Sequence, residues 1–484
     1  MHGKGTDMLL RYGDRMWGRL CQFVRHLKDA VVSRGSTPAV RLITGLAIFG
    51  LAAISIYYRF HPQSAAPCAT DFGSMYHSAL AVRGGSAPYG PLAGWIDTHA
   101  GSASSGPFTD TSCLTGMLEF TYTPFFALML LPLTLLPYHA SLWLWDACEL
   151  LFLAGAIYTF LRAARFVPSM VLLLLLTSAA VLTSPLRFEL YYAQADLFLL
   201  FVICGALWAQ CAGRETLAGA LLAIACASQP LLLVVLLFLV RKREIRFAAI
   251  TLVVSLALIL LPFVWLGRSA LGNMLTVWNF YATTYATQFT NNAPRGVLLR
   301  LMPGTPHLAA AFWLILALGV LGAALWHTAP HPLDSDSRSL LDVGLFVAAM
   351  LLASPWSENG NFTLLLLSFL AVYVYIRRSR TDPPLLGGYA AALALFYVLG
   401  DTIQYALHAR IDGTSAISYL LTVLDAVYLY PLLAITAVLI YARRLAERTA
   451  GRHLTGSHTY PFALEKVPQK NGMAAQENEK TGHR

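Results

Sequence analysis

Asp71 has the chemistry of a general base at a membrane surface. It stands in the segment Asp71-Phe72-Gly73-Ser74-Met75-Tyr76, a few residues beyond the first long apolar run. A positioned carboxylate can take a proton from a hydroxyl group that reacts at the edge of the bilayer. The alternative is a structural role, because acidic residues also favour the N-cap of a helix.

Arg295 and Arg300 supply the complementary charge. They lie in a polar segment, 267–307, that contains no acidic residue. A guanidinium binds phosphate through two N–H groups and keeps its charge at all physiological pH values. We predict that Arg295 binds a departing phosphate, with Arg300 as the second candidate. The alternative is that both are anchors whose charged ends reach the lipid head groups.

Membrane helices must position these residues. Of the 484 residues, 57% are hydrophobic and 12% are charged, whereas soluble domains carry about 25% charged residues. Apolar runs of about 18–20 residues recur along the chain, and in lipid such runs must be helices that satisfy their own backbone groups. The net charge of +9 is concentrated in segments that the positive-inside rule assigns to the cytoplasm, so we predict no nucleic-acid partner.

The hydropathy pattern predicts an all-α polytopic protein of the cytoplasmic (inner) membrane, with about twelve spans and both termini in the cytoplasm. Arg162 and Arg165 fall on the outer side of the membrane if every span crosses fully; the alternative is a re-entrant segment in this stretch. The predicted spans are 40–58, 122–137, 141–161, 167–184, 196–210, 217–240, 247–266, 308–326, 341–353, 362–376, 385–399 and 417–441.

Three regions follow from these spans: a basic cytoplasmic segment, 1–39; a membrane core, 40–441, with a long first outer loop at 59–121; and a polar tail, 442–484, predicted to be disordered. Cys68 and Cys113 are the two cysteines of that outer loop. An oxidising compartment favours a disulfide between them, and the alternative is two free thiols. We predict no cofactor and no metal, because the acidic residues lack metal-ligand spacing; a divalent cation stays open as the alternative.

Several short motifs occur in order along the predicted outer face. They are Asp71-Phe72 with Tyr76, Gly84-Gly85-Ser86-Ala87-Pro88-Tyr89, Phe120-Thr121-Tyr122-Thr123-Pro124-Phe125, Tyr192-Ala193-Gln194-Ala195-Asp196, Asn291-Asn292-Ala293-Pro294-Arg295-Gly296 with Arg300, and Ser354-Pro355-Trp356-Ser357. In this order they resemble glycosyltransferase family 87, the polyprenol-phosphate-mannose-dependent mannosyltransferases of the GT-C class. The resemblance implies a GT-C-like helical bundle.

The chain departs from the family pattern in two places. Glu358-Asn359-Gly360-Asn361 stands where the family carries histidines after its Ser-Pro turn, and Gln229-Pro230 replaces a Lys-Pro pair. A relative that binds a polyprenyl phosphate or glycolipid without turnover is therefore one alternative. A lipid or sugar transporter is another, but it predicts two similar halves, and no internal repeat is evident.

The resemblance implies an inverting transfer of a hexose from a polyprenyl-phosphate donor to a hydroxyl of a glycolipid or glycan. In the family this hexose is mannose. Asp71 would be the general base. The predicted substrate-binding residues are Tyr76, His77, Tyr89, Tyr122, Gln194, Asn291, Asn292, Trp356, Glu358 and Asn361. The alternatives are an interfacial belt for the aromatic residues, turn positions for the asparagines and a solvated loop position for His77.

Overall fold

The computed structural model describes residue 50, residues 71–89 and residues 120–455, apart from 284, 329, 380–381, 409 and 412–415. The predictions for the basic segment 1–39, the first span 40–58, the Cys68–Cys113 bridge and most of the tail lie outside these residues. Contacts divide the chain into a large unit, Met1–Arg443, and a small one, Arg444–Arg484.

The described secondary structure is entirely helical, and no strand occurs in it. The α-helices are α1 Asp71–Arg83, α2 Pro124–Met129, α3 Tyr138–Ala163, α4 Met170–Val181, α5 Ser184–Tyr192, α6 Asp196–Cys211, α7 Glu215–Ser228, α8 Val235–Arg241, α9 Ile245–Leu266, α10 Arg268–Thr283, α11 Pro294–Leu301, α12 Pro306–His327, α13 Ser337–Ala353, α14 Leu365–Arg378, α15 Pro383–Val398, α16 Asp401–His408, α17 Ala416–Leu424 and α18 Leu429–Thr455. Short 3₁₀ turns occur at Leu131–Leu135, Pro230–Val234, Tyr285–Thr287 and Gly360–Leu364.

Within the described residues, 5 helical segments are long and apolar enough to cross a membrane. They are α3, α9, α12, Gly360–Arg378 and Leu429–Thr449; α4 and α5 pass the same test together but are bent by 81°. Shorter apolar helices are α6, α7, Pro230–Arg241 and α15. These findings agree with a polytopic membrane protein, while the predicted count of about twelve spans is not confirmed.

A basic end of the bundle is defined by Ala164, Lys242, Asp342, Arg378 and Arg443. Lys242 Nζ lies 3.0 Å from Asp342 Oδ2, and Arg443 Nη1 pairs with the other oxygen of the same carboxylate. Arg378 donates hydrogen bonds to the carbonyl oxygens of Ser335 and Ala164. Five separate parts of the chain therefore meet at this end.

The predicted span 122–137 does not cross the bundle. It forms only α2 and a 3₁₀ turn, which Pro124 and Pro132 favour because proline disrupts a continuous helix. The Tyr76 hydroxyl donates to Leu136 O at 2.8 Å, so the end of this segment returns to the side of α1.

The predicted span 217–240 is also wrong as a single crossing. The chain breaks between Gln229 and Pro230 into α7 and a second helical stretch. Glu215 lies 3.6 Å from Arg246, and the following stretch returns to Lys242 at the basic end. A proline without an N–H donor at the break explains the resulting helical hairpin.

Arg162 and Arg165 lie at the basic end of the bundle. Full crossings by every predicted span would place them at the opposite end. The contact from Arg378 to Ala164 O fixes the end of α3 there. The 81° bend between α4 and α5 shows why the stretch was ambiguous: its apolar run contains two differently directed helices.

Candidate functional site

Buried aromatic residues fix the helix that carries Asp71. Asp71 is the first residue of α1 and is partly buried. The next residue, Phe72, is fully buried, and its ring centroid lies 6.0 Å from that of Trp145 on α3 and 5.9 Å from that of Tyr138. This packing of α1 on α3 sets the position of the Asp71 backbone.

Gln194 holds the Asp71 carboxylate directly. Its Nε2 donates a hydrogen bond to Asp71 Oδ2, although 123 residues separate the two in the chain. Ala193 has φ 52°, in the left-handed region, and turns the chain between α5 and α6. Trp145 Nε1 lies 3.3 Å from Gln194 O and fixes the backbone from the other side. Gln194, predicted to bind substrate, is thus positioned to orient the proposed base.

Gly360 is required for this arrangement. A Cβ at residue 360 would collide with Gln194 Oε1 and would lie 2.8 Å from Glu189 Oε2. Residues 354–361, here called the late turn, therefore pack their backbone against the Gln194 side chain of the α5–α6 connection. Any residue larger than glycine at 360 must displace the amide that holds Asp71.

Four further carboxyl groups surround Asp71 and Gln194: Glu149, Glu189, Asp196 and Glu358. We call these five acidic residues the acidic cluster. Three of the four have one bonded oxygen each: Glu149 Oε1 accepts from Trp145 Nε1 at 3.2 Å, Glu189 Oε1 from Leu197 N at 3.1 Å, and Asp196 Oδ2 from Asn361 Nδ2 at 2.7 Å. Their other oxygens, buried as well, have no hydrogen-bond partner among the described residues.

Glu358, in the turn that follows α13, has a strongly raised pKa. Burial raises its pKa to about 8, the negative charges of Asp71 and Asp196 act in the same direction, and a hydrogen bond with Gln194 lowers it. At pH 7 the group is therefore mostly a neutral carboxylic acid, because a carboxyl beside like charges in a desolvated site retains its proton.

The late turn is held by the asparagines of the 267–307 segment. Ser357 N lies 3.1 Å from Asn291 Oδ1, and Asn292 N lies 2.9 Å from Ser357 O. Asn292 Nδ2 also donates to Asn359 Oδ1 at 2.7 Å, and both asparagines are fully buried. These contacts favour the turn-forming alternative for Asn291 and Asn292 over direct substrate binding.

The two candidate arginines differ in their surroundings. Arg300 Nη2 lies 3.3 Å from Asp425 Oδ1, and Nη1 donates to Gln288 O and Asn291 O at 2.8 and 2.9 Å. Arg295 Cζ lies 5.4 Å from the ring centroid of Trp313 on α12, and its Nε has no hydrogen-bond partner among the described residues. Arg300 is thus held inside the protein, whereas Arg295 retains donors for an anion.

The predicted aromatic ligands are mainly packing residues. Tyr89 is buried and donates its hydroxyl to Tyr122 O, and the Tyr122 ring stacks on Phe126 with centroids 4.5 Å apart. Tyr76 is also buried. Trp356 is partly buried. An exposed interfacial belt does not describe these three tyrosines.

His77 and Asn361 have distinct surroundings. His77 is partly buried on α1, and burial lowers the pKa of its imidazole below the usual value. A neutral imidazole is a weak partner for phosphate. Asn361 donates to Asp196 and accepts from Glu358 N at 3.0 Å, so it joins the late turn to α6.

Sequence analysis did not assign Glu149, Glu189 and Asp196 to the site. Glu149 carries a recognisable signal, since an acid inside an apolar helix is costly and often functional. Across the described part of the chain, no three His, Cys, Asp or Glu side chains are arranged to hold a metal ion.

Comparison with known proteins finds one family model that matches the middle of the chain. Residues 120–355 match the model of glycosyltransferase family 87. This part of the chain is therefore similar to glycosyltransferase family 87. The resemblance predicted from the motifs is thereby confirmed, and Asp71 lies outside the matched residues.

A curated relative gives the same indication. The chain is 29% identical over 262 residues to the polyprenol-phosphate-mannose-dependent alpha-(1-2)-phosphatidylinositol pentamannoside mannosyltransferase of Mycobacterium tuberculosis (strain CDC 1551 / Oshkosh). The alignment covers 51% of this chain and 57% of that relative.

Proposed function

We propose that this glycosyltransferase family 87 protein transfers a hexose, mannose by similarity to its relative, from a polyprenyl-phosphate donor to a hydroxyl of a glycolipid or glycan. Asp71 is the general base. The observation that carries this proposal is the Asp71 carboxylate held by Gln194 within the acidic cluster. The family match and the relative's name support the donor class.

The proposed step is a displacement with inversion. The acceptor oxygen attacks the anomeric carbon, Asp71 takes the hydroxyl proton, and the bond from that carbon to the phosphate oxygen breaks with its electron pair leaving on the phosphate. The Gln194 amide donates to Asp71 and so favours the charged form that accepts the proton. A protonated Glu358 adds no negative charge that would repel an anionic donor.

Arg295 is our candidate for the leaving phosphate. Its ring contact with Trp313 fixes the guanidinium while leaving N–H groups for an anion. Arg300 remains the second candidate, but its pairing with Asp425 favours a structural role.

We further propose that the acidic cluster faces the extracytoplasmic side. Lys242, Arg378 and Arg443 lie at the basic end, and the positive-inside rule places such residues in the cytoplasm. α3 leads from Trp145 beside the cluster to Ala163 at the basic end, so the cluster lies toward the other face.

The substitution Asp71→Asn tests the proposed base. We expect transfer to fall by roughly 10²–10⁴-fold, because the amide cannot accept the acceptor's proton. The measurement is mannose transfer from polyprenyl-phosphate-mannose to mycobacterial-type glycolipid acceptors by purified protein. Asp382→Asn is the matched control, since Asp382 caps α15 through Leu385 N and should keep normal transfer.

Two results would contradict the proposal. Wild-type rates in Asp71→Asn would remove Asp71 from catalysis. Donor binding without transfer by the wild-type protein would favour the non-catalytic relative, for which Glu358 in place of the family's histidine is the specific reason.

A further inference from the structure

Glu189 is a buried acid whose two oxygens have different surroundings. It lies near the end of α5 and is fully buried. Its Oε1 accepts a hydrogen bond from Leu197 N at 3.1 Å and so caps the first turn of α6. Its Oε2 is also buried but has no hydrogen-bond partner among the described residues. Capping of α6 therefore accounts for only one of the two oxygens.

The second oxygen faces the side-chain amide of Gln194. A Cβ on Gly360 would contact both Gln194 Oε1 and Glu189 Oε2, so the two oxygens converge on the same point. The backbone supports this approach, because Gln194 N donates to Glu189 O at 3.2 Å. Two buried oxygens that face each other are both acceptors, and their approach is favourable only if one of them carries a hydrogen.

The nitrogen of the same amide serves two acids on its other side. Gln194 Nε2 donates to Asp71 Oδ2. Gln194 also shares a hydrogen bond with Glu358 that lowers the pKa of this acid. A bond that favours the charged carboxylate is donated to it, so it comes from the amide nitrogen. Both N–H groups of Gln194 are thus directed at acids, and Oε1 is the group that faces Glu189.

An ionised Glu189 does not fit these surroundings. The charges that act on it come from acids on three other elements, namely Asp196 on α6, Asp71 on α1 and Glu149 on α3. No cation pairs with Glu189 among the described residues. Burial of an unpaired charge is costly, whereas a protonated acid offers an O–H donor to the amide oxygen.

The other titratable side chains around α5 do not change this conclusion. Tyr122 interacts electrostatically with Glu189, and a phenol is neutral at physiological pH. α15 packs on α5 and contributes Tyr389 and Tyr397, whose hydroxyls donate to backbone carbonyl groups. Arg187 precedes Glu189 by two residues on α5, and residues at this spacing do not face each other on a helix.

We infer that Glu189 is a positioning residue that carries a proton, donates a hydrogen bond to Gln194 Oε1 and thereby fixes the amide with its nitrogen toward Asp71. The inference rests on the proposed function and adds the group that sets the orientation of the amide. In the opposite orientation, Gln194 would present its oxygen to Asp71. Two facing oxygens would favour the protonated form of Asp71, which cannot accept a proton.

Replacing Glu189 by glutamine and by methionine tests the inference. Glutamine keeps an N–H donor for Gln194 Oε1 and an oxygen for Leu197 N, so most of the transfer should be retained. Methionine has a similar volume but no donor, and we expect kcat/KM at pH 7 to fall at least about tenfold. The acidic limb of the rate–pH profile should move up by about one pH unit or more, because Asp71 loses a fixed donor that favours its charged form.

A double variant shows whether Glu189 acts through Gln194. Gln194→Met removes the donor to Asp71 directly and should move the acidic limb in the same direction. Glu189→Met combined with Gln194→Met should move it no further, because both changes act on the same amide. Glu215→Met, the same change at a more exposed carboxylate paired with Arg246, is the control and should keep the wild-type profile.

A purely structural role gives a different pattern. Loss of the cap on α6 alone would lower Tm and the rate at every pH, with additive effects of Glu189→Met and Gln194→Met and an unmoved acidic limb. That pattern would overturn the inference. A loss of transfer in Glu189→Gln as large as that in Glu189→Met would overturn it as well. If Glu189→Met does not fold, Glu189→Gln decides alone, because an uncharged amide cannot replace a carboxylate that functions in its ionised form.

An infrared titration separates this inference from the proposed function, because it needs no substrate. Difference spectra between pH values record the ionisation of carboxyl groups in the full-length protein, and the Asp71 contribution is identified by its absence from Asp71→Asn. We expect the Asp71 midpoint to be unchanged in Glu189→Gln and higher by about one pH unit or more in Glu189→Met.

The two proposals can then fail independently. An unmoved Asp71 midpoint in Glu189→Met would overturn the inference even if the wild-type protein transfers mannose. A raised midpoint in a protein that shows no transfer would retain the inference and reject the enzymatic proposal.

Discussion

At the scale of single residues, the acidic cluster can function only if its charges are reduced. Asp71, Glu189, Asp196 and Glu358 influence one another electrostatically, and burial adds to this repulsion. Gln194 stabilises the charged form of Asp71, while Glu358 retains its proton up to about pH 8. The result is a division of roles: one carboxylate is available as a base, and a neighbouring acid is neutral.

Glu358→Gln tests this division through pH dependence. Glutamine resembles the protonated acid, so transfer at pH 7 should stay within about threefold of wild type. Because the folded-state pKa of about 8 exceeds the ordinary value of 4.5, the folded protein binds the extra proton; this stabilisation is complete below about pH 4.5 and is lost as pH rises towards 8.

The measurements are initial rate and Tm between pH 6 and 9. The wild-type rate should fall as pH rises through about 8, and the wild-type Tm should fall between pH 6 and about 8 and then level off. Glu358→Gln should lack both declines. Glu215→Gln, at a more exposed carboxylate paired with Arg246, is the control and should retain them. An unchanged alkaline decline in Glu358→Gln would show that another group is responsible.

At the scale of elements, sequence analysis predicted the helical membrane core and the family motifs but not the pairing of the motifs. Asp71 was recognisable from its position after an apolar run. The contact with Gln194 depends on the left-handed turn at Ala193 and on the missing Cβ of Gly360, neither of which has a hydropathy signal. Pro124 and Pro230 did signal the two wrong spans, but hydropathy averages over such breaks.

Gly360→Ala tests the contact between the late turn and the α5–α6 connection. The added methyl group collides with Gln194, so we expect transfer to fall at least about tenfold and the free energy of unfolding to fall by about 1–3 kcal/mol. Gly319→Ala on α12 is the control, because a Cβ there meets nothing within 4 Å. Normal transfer by Gly360→Ala would mean that the Gln194 amide can move without affecting Asp71.

At the scale of the whole molecule, the two ends of the bundle have opposite electrostatic character. The basic end has a buried carboxylate, Asp342, between Lys242 and Arg443. Removing one member of such a buried group commonly costs about 3–5 kcal/mol, because it leaves an unpaired charge. This ion cluster therefore joins α13, α18 and the end of α8 at the face that the positive-inside rule assigns to the cytoplasm.

Sided labelling tests the resulting orientation with two positions that flank one helix. Thr305 and His331 are exposed on either side of α12, whose 22 residues give a length of about 33 Å, enough to cross the hydrocarbon layer. In a protein with all seven native cysteines replaced, Thr305→Cys should react with an impermeant maleimide on intact cells. His331→Cys should react only after permeabilisation, because His331 lies near Leu333, which contacts Glu244 beside the basic end.

The reverse labelling pattern would place the acidic cluster in the cytoplasm and would rule out transfer on the extracytoplasmic face. Equal labelling of both positions on intact cells would show that α12 does not span the membrane.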